Sequence, residues 1–357
     1  MTTKNLVILT SAAVVLGGAA YWTSAGKRMA TPSLNGKKIL PAFNVSDVAK
    51  VEIAGAKKLT LSAGDKGWTI DALHGYPADI TKIRENLLKL ADLKVGQVAN
   101  GRKIANPAKV ELKDAAGKAV AAISLGETHT SKPKGQMAQF GGGGYPDGRY
   151  VLFNDKVVLV KETLDAFDGD PKKWADTRIC AITASDVKSV TYLADMKAAP
   201  VKLARKDSTW TLEGLGPKEE LDTSKTYSLD SALSYLDMTG IADPAKEAEY
   251  GFATGKVYTA TLKNGITYTA KVGNAVGSDR TLKLSAAFAP VGTNATENAA
   301  CEKTVKDFND KNGKWIYTIS SYAADSMSKK RADLVKAKEE PKKDEKKDEP
   351  KKADVQK

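Results

Sequence analysis

The stretch Lys66-Gly67-Trp68-Thr69-Ile70 decides how this sequence is divided, because a similar stretch, Ser208-Thr209-Trp210-Thr211-Leu212, follows later in the chain. Each stretch comes after a Ser-Asp-Val opening, at Val45-Ser46-Asp47-Val48 in the first case and at Ala184-Ser185-Asp186-Val187 in the second. The same motifs in the same order indicate a structural unit that occurs twice. The sequence therefore predicts two copies of one module.

The apolar pattern within each module predicts strands and one helix. Alternating apolar residues and tight turns such as Asn264-Gly265 are typical of short antiparallel strands. Apolar residues recur at helical spacing in the first module, at Ile80, Ile83, Leu87, Leu90 and Leu93. The second module has a comparable series before Met238, at Leu229, Ala232, Leu233 and Leu236. The predicted fold is α+β, with two tandem, mostly antiparallel β modules that each carry a covering helix, after an N-terminal transmembrane segment.

The composition divides the chain into five segments. We predict a membrane anchor or signal segment at residues 1–30, a linker at 31–43, the first α+β module at 44–180, the second at 181–335, and a disordered charged tail at 336–357. The tail alternates basic and acidic residues and has almost no apolar side chains. Because it has so little apolar surface to bury, it cannot offset the entropy cost of becoming ordered.

The N-terminal segment has the features of a membrane anchor. Residues 5–26 carry no charge, and about 17–25 apolar residues are enough for one helix to cross a bilayer. Tyr21-Trp22 lie where aromatic side chains anchor the end of such a helix. The small residues Thr23-Ser24-Ala25 also fit a signal-peptidase site. The sequence favours an uncleaved single-pass anchor followed by an exported folded part, and a cleaved signal peptide stays open as the alternative.

The net charge and the number of cysteines limit which partners and metal sites are expected. The formal net charge is +12, so the protein should be attracted to anionic lipid or wall polymers, an attraction that salt weakens. We expect no nucleic-acid partner, because no compact Lys/Arg cluster with interleaved aromatic residues is present. Cys180 and Cys301, the two cysteines, are too few for a structural zinc site. In an exported chain they could form a disulfide or remain separate thiols.

No motif predicts catalysis. Gly141-Gly142-Gly143-Gly144 is followed by Tyr145-Pro146 rather than by the Lys and Ser/Thr of a P-loop, which favours a flexible loop. The two histidines, His74 and His129, are predicted to be exposed loop residues. A Ser-His-Asp triad assembled in three dimensions stays an alternative, but no Gly-x-Ser-x-Gly elbow supports it. We therefore predict no catalytic, cofactor-binding or metal-ligating residue, no cofactor, and a protein that is not an enzyme.

Three tryptophans lie at predicted strand positions, Trp68, Trp210 and Trp315. A Trp in a hairpin that faces a helix usually packs in the core, which is the role predicted for all three. Stacking of sugars on the surface of a sheet is the alternative role.

Several of these features together resemble a known family. The N-terminal hydrophobic segment, the Ser-Asp-Val opening, the Trp hairpin and the element Tyr250-Gly251-Phe252 resemble bacterial envelope proteins that carry domain of unknown function 4340. The resemblance covers about residues 40–335, in tandem. The first module departs from it, with Lys103-Ile104-Ala105-Asn106-Pro107 where the second has the Tyr-Gly element. The resemblance implies an accessory component encoded beside ABC-type transport or gliding-machinery genes, and it implies no functional residues.

These observations lead to one expected function and an alternative. We expect a non-enzymatic protein anchored in the bacterial inner membrane by a single span, with its folded part in the periplasm or otherwise outside the cytoplasm. It should act as a scaffold or accessory component whose partners are subunits of a membrane complex of the ABC-type transport or gliding kind. The alternative is a surface module that binds an anionic glycan or cell-wall polymer. A hydrolase ranks third.

Overall fold

The structure is a computed structural model that describes residues 33–132, 144–193, 199–207 and 209–338. The chain divides into two compact units, Met1–Ala175 and Asp176–Lys357, with the boundary slightly before the predicted residue 180. The predicted anchor at 1–30 and most of the predicted tail lie outside the described residues. Among the described residues, no helix combines the length and the apolar character that crossing a membrane requires.

The first unit is built on one nine-stranded antiparallel sheet. Its strands are β1 Lys50–Ala54, β2 Lys58–Gly64, β3 Gly67–Ile70, β4 Tyr76–Pro77, β5 Gln97–Val98, β6 Ala108–Lys113, β7 Ala119–Ser131, β8 Tyr145–Phe153 and β9 Lys156–Val160. They lie in the order β4-β3-β2-β1-β6-β7-β8-β9-β5. Short 3₁₀ helices occur at Val45–Asp47, Asp71–Leu73, Asp165–Asp168 and Pro171–Lys173.

The helix α1, Ile80–Ala91, follows the first four strands as the apolar spacing predicts. It begins after Asp79, whose carboxylate accepts the backbone N–H groups of Thr81 and Lys82, a typical N-cap. Its buried residues are spaced three or four apart, at Ile83, Leu87 and Leu90. The helix therefore turns one apolar stripe inward and leaves its other face to solvent.

The second unit is built on an eight-stranded antiparallel sheet and two small strand pairs. Its strands are β10 Arg178–Cys180, β11 Val187–Tyr192, β12 Val201–Lys206, β13 Thr209–Leu212, β14 Glu219–Leu221, β15 Leu236–Asp237, β16 Gly240–Ile241, β17 Lys256–Leu262, β18 Ile266–Val276, β19 Asp279–Phe288, β20 Tyr317–Ser320 and β21 Val335–Ala337. The main sheet has the order β13-β12-β11-β17-β18-β19-β20-β16, and β10 pairs with β15 and β14 with β21. The helices are α2 Tyr227–Asp230, α3 Ala295–Asn312 and α4 Ser321–Ser326, with 3₁₀ helices at Ala184–Asp186, Thr223–Lys225, Pro244–Tyr250 and Arg331–Leu334.

The two main sheets follow the same path. The order β3-β2-β1-β6-β7-β8-β9-β5 of the first unit has the same sequence of connections as β13-β12-β11-β17-β18-β19-β20-β16 of the second. In both units, the Trp hairpin forms one edge region. In both, a two-residue strand that follows the first helix, β5 or β16, pairs with the last strand of the main sheet, β9 or β20.

The second unit differs from the prediction in its helices. The helix predicted to end near Met238 stops at Asp230, and Leu236 lies in β15 instead. Serines are frequent in this segment, at Ser224, Ser228, Ser231 and Ser234, and serine is a weaker helix former than leucine or alanine. The predicted apolar side chains are nevertheless buried, at Leu229, Leu233 and Leu236.

The helix that packs along this sheet is α3, which the apolar pattern does not predict. The Phe308 ring of α3 meets Tyr268 edge-on, 4.9 Å between centroids. The Asn309 amide bonds both the N–H and the carbonyl of Ala286 in β19. The helix is polar over most of its length, so its attachment depends on a few specific contacts rather than on an apolar stripe.

Two further expectations are corrected. Residues 336–338, assigned to the disordered tail, continue the fold, because β21 pairs with β14. Trp315 lies between α3 and β20 rather than in a strand. The cysteines do not pair: Cys180 is buried and Cys301 partly exposed, both as free thiols.

Candidate functional site

The two histidines have different environments. His74 is exposed and has a left-handed backbone, φ 53°, at the end of a 3₁₀ helix, as expected for a loop residue. His129 lies within β7, not in the predicted loop. Strand β7 continues to Ser131 and is paired with β8, so both ends of the loop predicted at residues 127–147 belong to these strands.

His129 belongs to a polar cluster that we call the histidine clasp, formed by His129, Ser131 and Asp147. The Nδ1 of His129 is 2.5 Å from Asp147 Oδ1, and the Ser131 hydroxyl donates to Asp147 Oδ2. The hydrogen bond from the Ser131 hydroxyl lowers the pKa of Asp147 below its usual range, and the hydrogen bond with His129 is the second cause. The clasp therefore joins the end of β7 to the start of β8 through one carboxylate.

The clasp contains the three residue types of a hydrolytic triad, but its hydrogen bonds connect them in a different order. In a triad the serine shares its proton with the imidazole, which then acts as the base. Here the Ser131 hydroxyl donates to the carboxylate and not to the imidazole, so the serine–histidine hydrogen bond of a triad is not formed. On the neighbouring surface, the Arg102 guanidinium stacks on the Tyr150 ring, 3.8 Å from its centroid, and pairs with Glu127. These contacts support a structural role in holding the strand ends together.

A cavity in the first unit, which we call the Trp68 groove, lies between α1 and the segment that precedes β1. It has a volume of about 340 Å³. Most of its lining residues are apolar types, although about half of the surface that they present is polar. The lining comprises Val45, Ser46, Val48, Trp68, Ile80, Ile83, Arg84, Leu87 and Leu88. Trp68 is only half-buried, which differs from the predicted core position.

The outer face of α1 forms a ridge between the Trp68 groove and a second groove. Ile80, Arg84 and Leu88 follow one another at four-residue spacing, and Ile80 and Leu88 are 58% and 47% exposed. The second groove, about 600 Å³, shares Leu88 with the first and has Lys89 and Asp92 in its wall. Exposed apolar side chains that adjoin grooves are one feature of protein interaction sites.

The matching tryptophan of the second unit is closed off. Trp210 is 8% exposed and the Arg205 guanidinium lies 4.5 Å from its ring centroid. Arg205 Nη2 is 2.7 Å from Asp230 Oδ2, and the Trp210 indole N–H donates to the same oxygen at 3.1 Å. Burial raises the pKa of Asp230, while the indole N–H and Arg205 lower it.

Strand register explains why only one of the two tryptophans is covered. Arg205 is the residue directly opposite Trp210 in the β12–β13 hairpin, and Ala63 is directly opposite Trp68 in β2–β3. An alanine cannot reach across the indole ring. The Trp68 groove is thus open at the position where the second unit has an ion pair.

No metal centre accompanies these features. Within residues 33–132, 144–193, 199–207 and 209–338, no group of three or more His, Cys, Asp or Glu side chains is arranged to hold a metal ion. Only Gly144 of the predicted glycine-rich loop is described, and a Cβ there would lie 2.2 Å from the Ser131 carbonyl oxygen. This glycine therefore permits the close approach of two strand ends.

Comparison with known proteins gives one match. A family model described as a domain of unknown function (DUF4340) matches residues 68–254, more than half of the chain. The match begins at Trp68 in β3 and ends just after Tyr250-Gly251-Phe252, so it extends from the first unit into the second as one range. No curated protein and no solved structure matches the chain.

Proposed function

The chain belongs to the DUF4340 family, and from that premise we propose that it is a non-enzymatic accessory component of a membrane protein complex. In this proposal, residues 1–30 anchor it in the bacterial inner membrane by a single span, and the two units lie outside the cytoplasm. The units represent two tandem copies of one module, which their common strand order supports. The complex is of the kind that serves ABC-type transport or gliding.

The observation that carries the proposal is the exposed ridge of α1 with a groove on each side. Protein interfaces have an apolar core in which large side chains and arginine are enriched, surrounded by a polar rim. Ile80, Arg84 and Leu88 have that composition, and Lys89 and Asp92 lie at the edge. An amphipathic helix of a partner would place its apolar face along this ridge and into the Trp68 groove.

The path of the chain supports a membrane subunit as that partner. The Gly36 N–H donates to the Val95 carbonyl at 2.7 Å, and the Ile39 N–H to the Leu93 carbonyl at 2.9 Å, which fixes the start of the first unit beside the end of α1. Seven residues lie between Arg28 and Gly36, and the eight Cα-to-Cα steps of a fully extended chain cover at most about 29 Å. An anchor at 1–30 therefore keeps α1 close to the membrane surface.

Site-specific photo-crosslinking in native membranes tests the proposal. A photoreactive amino acid is placed at Ile80 or Leu88 of the full-length protein, and at Leu152 as the control. Leu152 is 43% exposed in β8 of the same unit and borders neither groove. We expect crosslinks from the two ridge positions to a membrane protein, and none from Leu152. If the ridge positions give no crosslinked membrane protein, or the same products as Leu152, the ridge is not the docking surface and the proposal loses its support.

A further inference from the structure

We propose that a cationic groove in the second unit binds an anionic glycan, a sugar polymer that carries phosphate or carboxylate groups. The groove, which we call the Lys256 groove, consists of two cavities of about 470 Å³ and 180 Å³. Both cavities have Lys256 and Asp325 in their lining, so they adjoin at these two residues. It lies in a different unit from the α1 ridge and is independent of the docking function.

The charge of the groove favours an anion. Four basic side chains line it, Lys256, Arg280, Lys329 and Lys330, against the two carboxylates of Asp325 and Asp333. The Lys256 ammonium donates to the Ser328 hydroxyl at 3.0 Å, and the Lys329 ammonium to the Lys225 carbonyl at 3.1 Å. Neutral partners such as these orient an ammonium group without cancelling its charge. The excess positive charge in a concave surface raises the local concentration of anions.

The other wall groups fit a sugar. Three serines line the larger cavity, Ser228, Ser326 and Ser328, and the Ser328 hydroxyl accepts from the Lys256 ammonium. Tyr322 is 84% exposed at the rim, so its ring has a free face against which the C–H face of a sugar can pack. Small ligands are held by this combination of an aromatic surface and a few polar groups.

The element Tyr250-Gly251-Phe252 shapes the smaller cavity. Gly255 and Gly273 both line it, and neither has room for a side chain. A Cβ on Gly255 would lie 2.4 Å from the Val272 carbonyl oxygen, and a Cβ on Gly273 would lie 2.3 Å from that of Tyr250. These approaches hold the segment before β17 tightly against β18. The motif that the sequence resemblance singles out therefore packs under the Lys256 groove.

Binding measurements on the full-length protein in detergent micelles test this inference. The probes are an oligogalacturonate, which carries carboxylates, a poly(glycerol phosphate) oligomer of similar charge, and a neutral maltooligosaccharide. We expect the anionic probes to bind at low salt and to weaken as salt is raised, because screening reduces the attraction. Poly(glycerol phosphate) has no sugar ring, so binding of oligogalacturonate alone would support recognition of the sugar together with its carboxylates, whereas binding of poly(glycerol phosphate) alone would overturn the assignment to a sugar polymer. Equal binding of the neutral probe, or no binding of either anionic probe, would overturn the proposal.

Substitutions locate the binding. Lys256→Gln and Arg280→Gln should each lower the affinity for the anionic probes about tenfold, the size expected for loss of one charge-assisted hydrogen bond. Lys303→Gln is the matched control, since it removes one lysine from exposed α3 of the same unit and should leave the affinity unchanged. An equal loss in the control would mean that only net charge matters and would refute the site. Tyr322→Ala should weaken oligogalacturonate and not poly(glycerol phosphate), and equal binding of oligogalacturonate would refute the sugar contact.

Discussion

Replacing Asp230 by alanine should destabilise the second unit through the tryptophan that it covers. The Asp230 and Arg205 side chains are 10% and 14% exposed, so solvent cannot fully replace their contacts. The substitution removes a charged hydrogen bond from Arg205 and a neutral one from the Trp210 indole. The charged bond contributes about 1.5–3 kcal/mol and the neutral bond about 0.5–1.5 kcal/mol. We therefore expect a loss of about 3 kcal/mol in the free energy of unfolding of this unit.

Hydrogen exchange measured by mass spectrometry can assign that loss to the second unit, because peptides from β12 and β13 report its opening separately. The control is Asp307→Ala, which breaks the exposed pair between Asp307 and Lys303 and should cost less than about 0.5 kcal/mol. Adding Arg205→Met to Asp230→Ala should recover part of the loss, because no unpaired charge is then left beside the indole ring. If Asp230→Ala lowers the free energy of unfolding by no more than the control does, the buried Arg205–Asp230 pair does not stabilise the second unit as argued.

Three further predictions concern packing, pH and thiol reactivity. Gly148→Ala should destabilise the first unit by about 1–3 kcal/mol in urea unfolding, because its Cβ would lie 2.2 Å from a carbonyl oxygen of β9. Gly64→Ala, whose Cβ has no neighbour closer than 3.8 Å, should change little, and an equal loss would contradict the steric argument. Glu219 accepts hydrogen bonds from Arg331 and from the Gly216 backbone N–H, and these lower its pKa from 4.5 to about 2. The stability that ionised Glu219 contributes is therefore complete above pH 4.5 and is lost as the pH falls towards 2. The protection of the β14–β21 amides against hydrogen exchange, relative to their intrinsic rates at each pH, should decrease as the pH falls over that range, and Glu219→Gln should remove most of the pH dependence. Burial raises the pKa of Cys180 to about 12, so maleimide should label Cys301 and not Cys180 in the folded protein, as mass spectrometry would show.

The elements that were predicted correctly are those with local signals. Asn264-Gly265 forms the turn between β17 and β18, and the apolar spacing of α1 leads to the expected helix. The apolar series at Leu229, Leu233 and Leu236 shows that helical spacing alone does not guarantee a helix. These leucines are buried, although only the four residues of α2 are helical. Burial needs an apolar side chain near the core, whereas a helix also needs a run of residues that favour the helical backbone, and this segment is rich in serine.

A capping signal could have revealed α3. Asn294 accepts the N–H groups of Thr296 and Glu297, and the Asn294 amide in turn donates to the Glu297 carboxylate. Such an Asn and Glu three residues apart is a known start of a helix. Apolar periodicity does not indicate this helix, because Asn312 is the only residue of α3 that is fully buried and α3 therefore has no apolar stripe.

The candidate sites depend on strand register and distant contacts, which a sequence pattern does not contain. The histidine clasp forms because β7 pairs with β8 across a long connection, and the spacing of His129 and Asp147 gives no sign of it. The pairing of β21 with β14 joins residues more than a hundred positions apart. The open groove at Trp68 becomes visible only when Ala63 and Arg205 are compared at the same register position.

The different surroundings of Trp68 and Trp210 have a consequence for selection. The fit of Trp210 depends on Arg205 and Asp230 in the same chain, so substitutions at these three positions should be coupled among relatives. In the proposed docking function, the fit of Trp68 depends on a surface encoded by another gene. Evolution of the first tryptophan should therefore follow the partner, and evolution of the second should follow the chain's own stability.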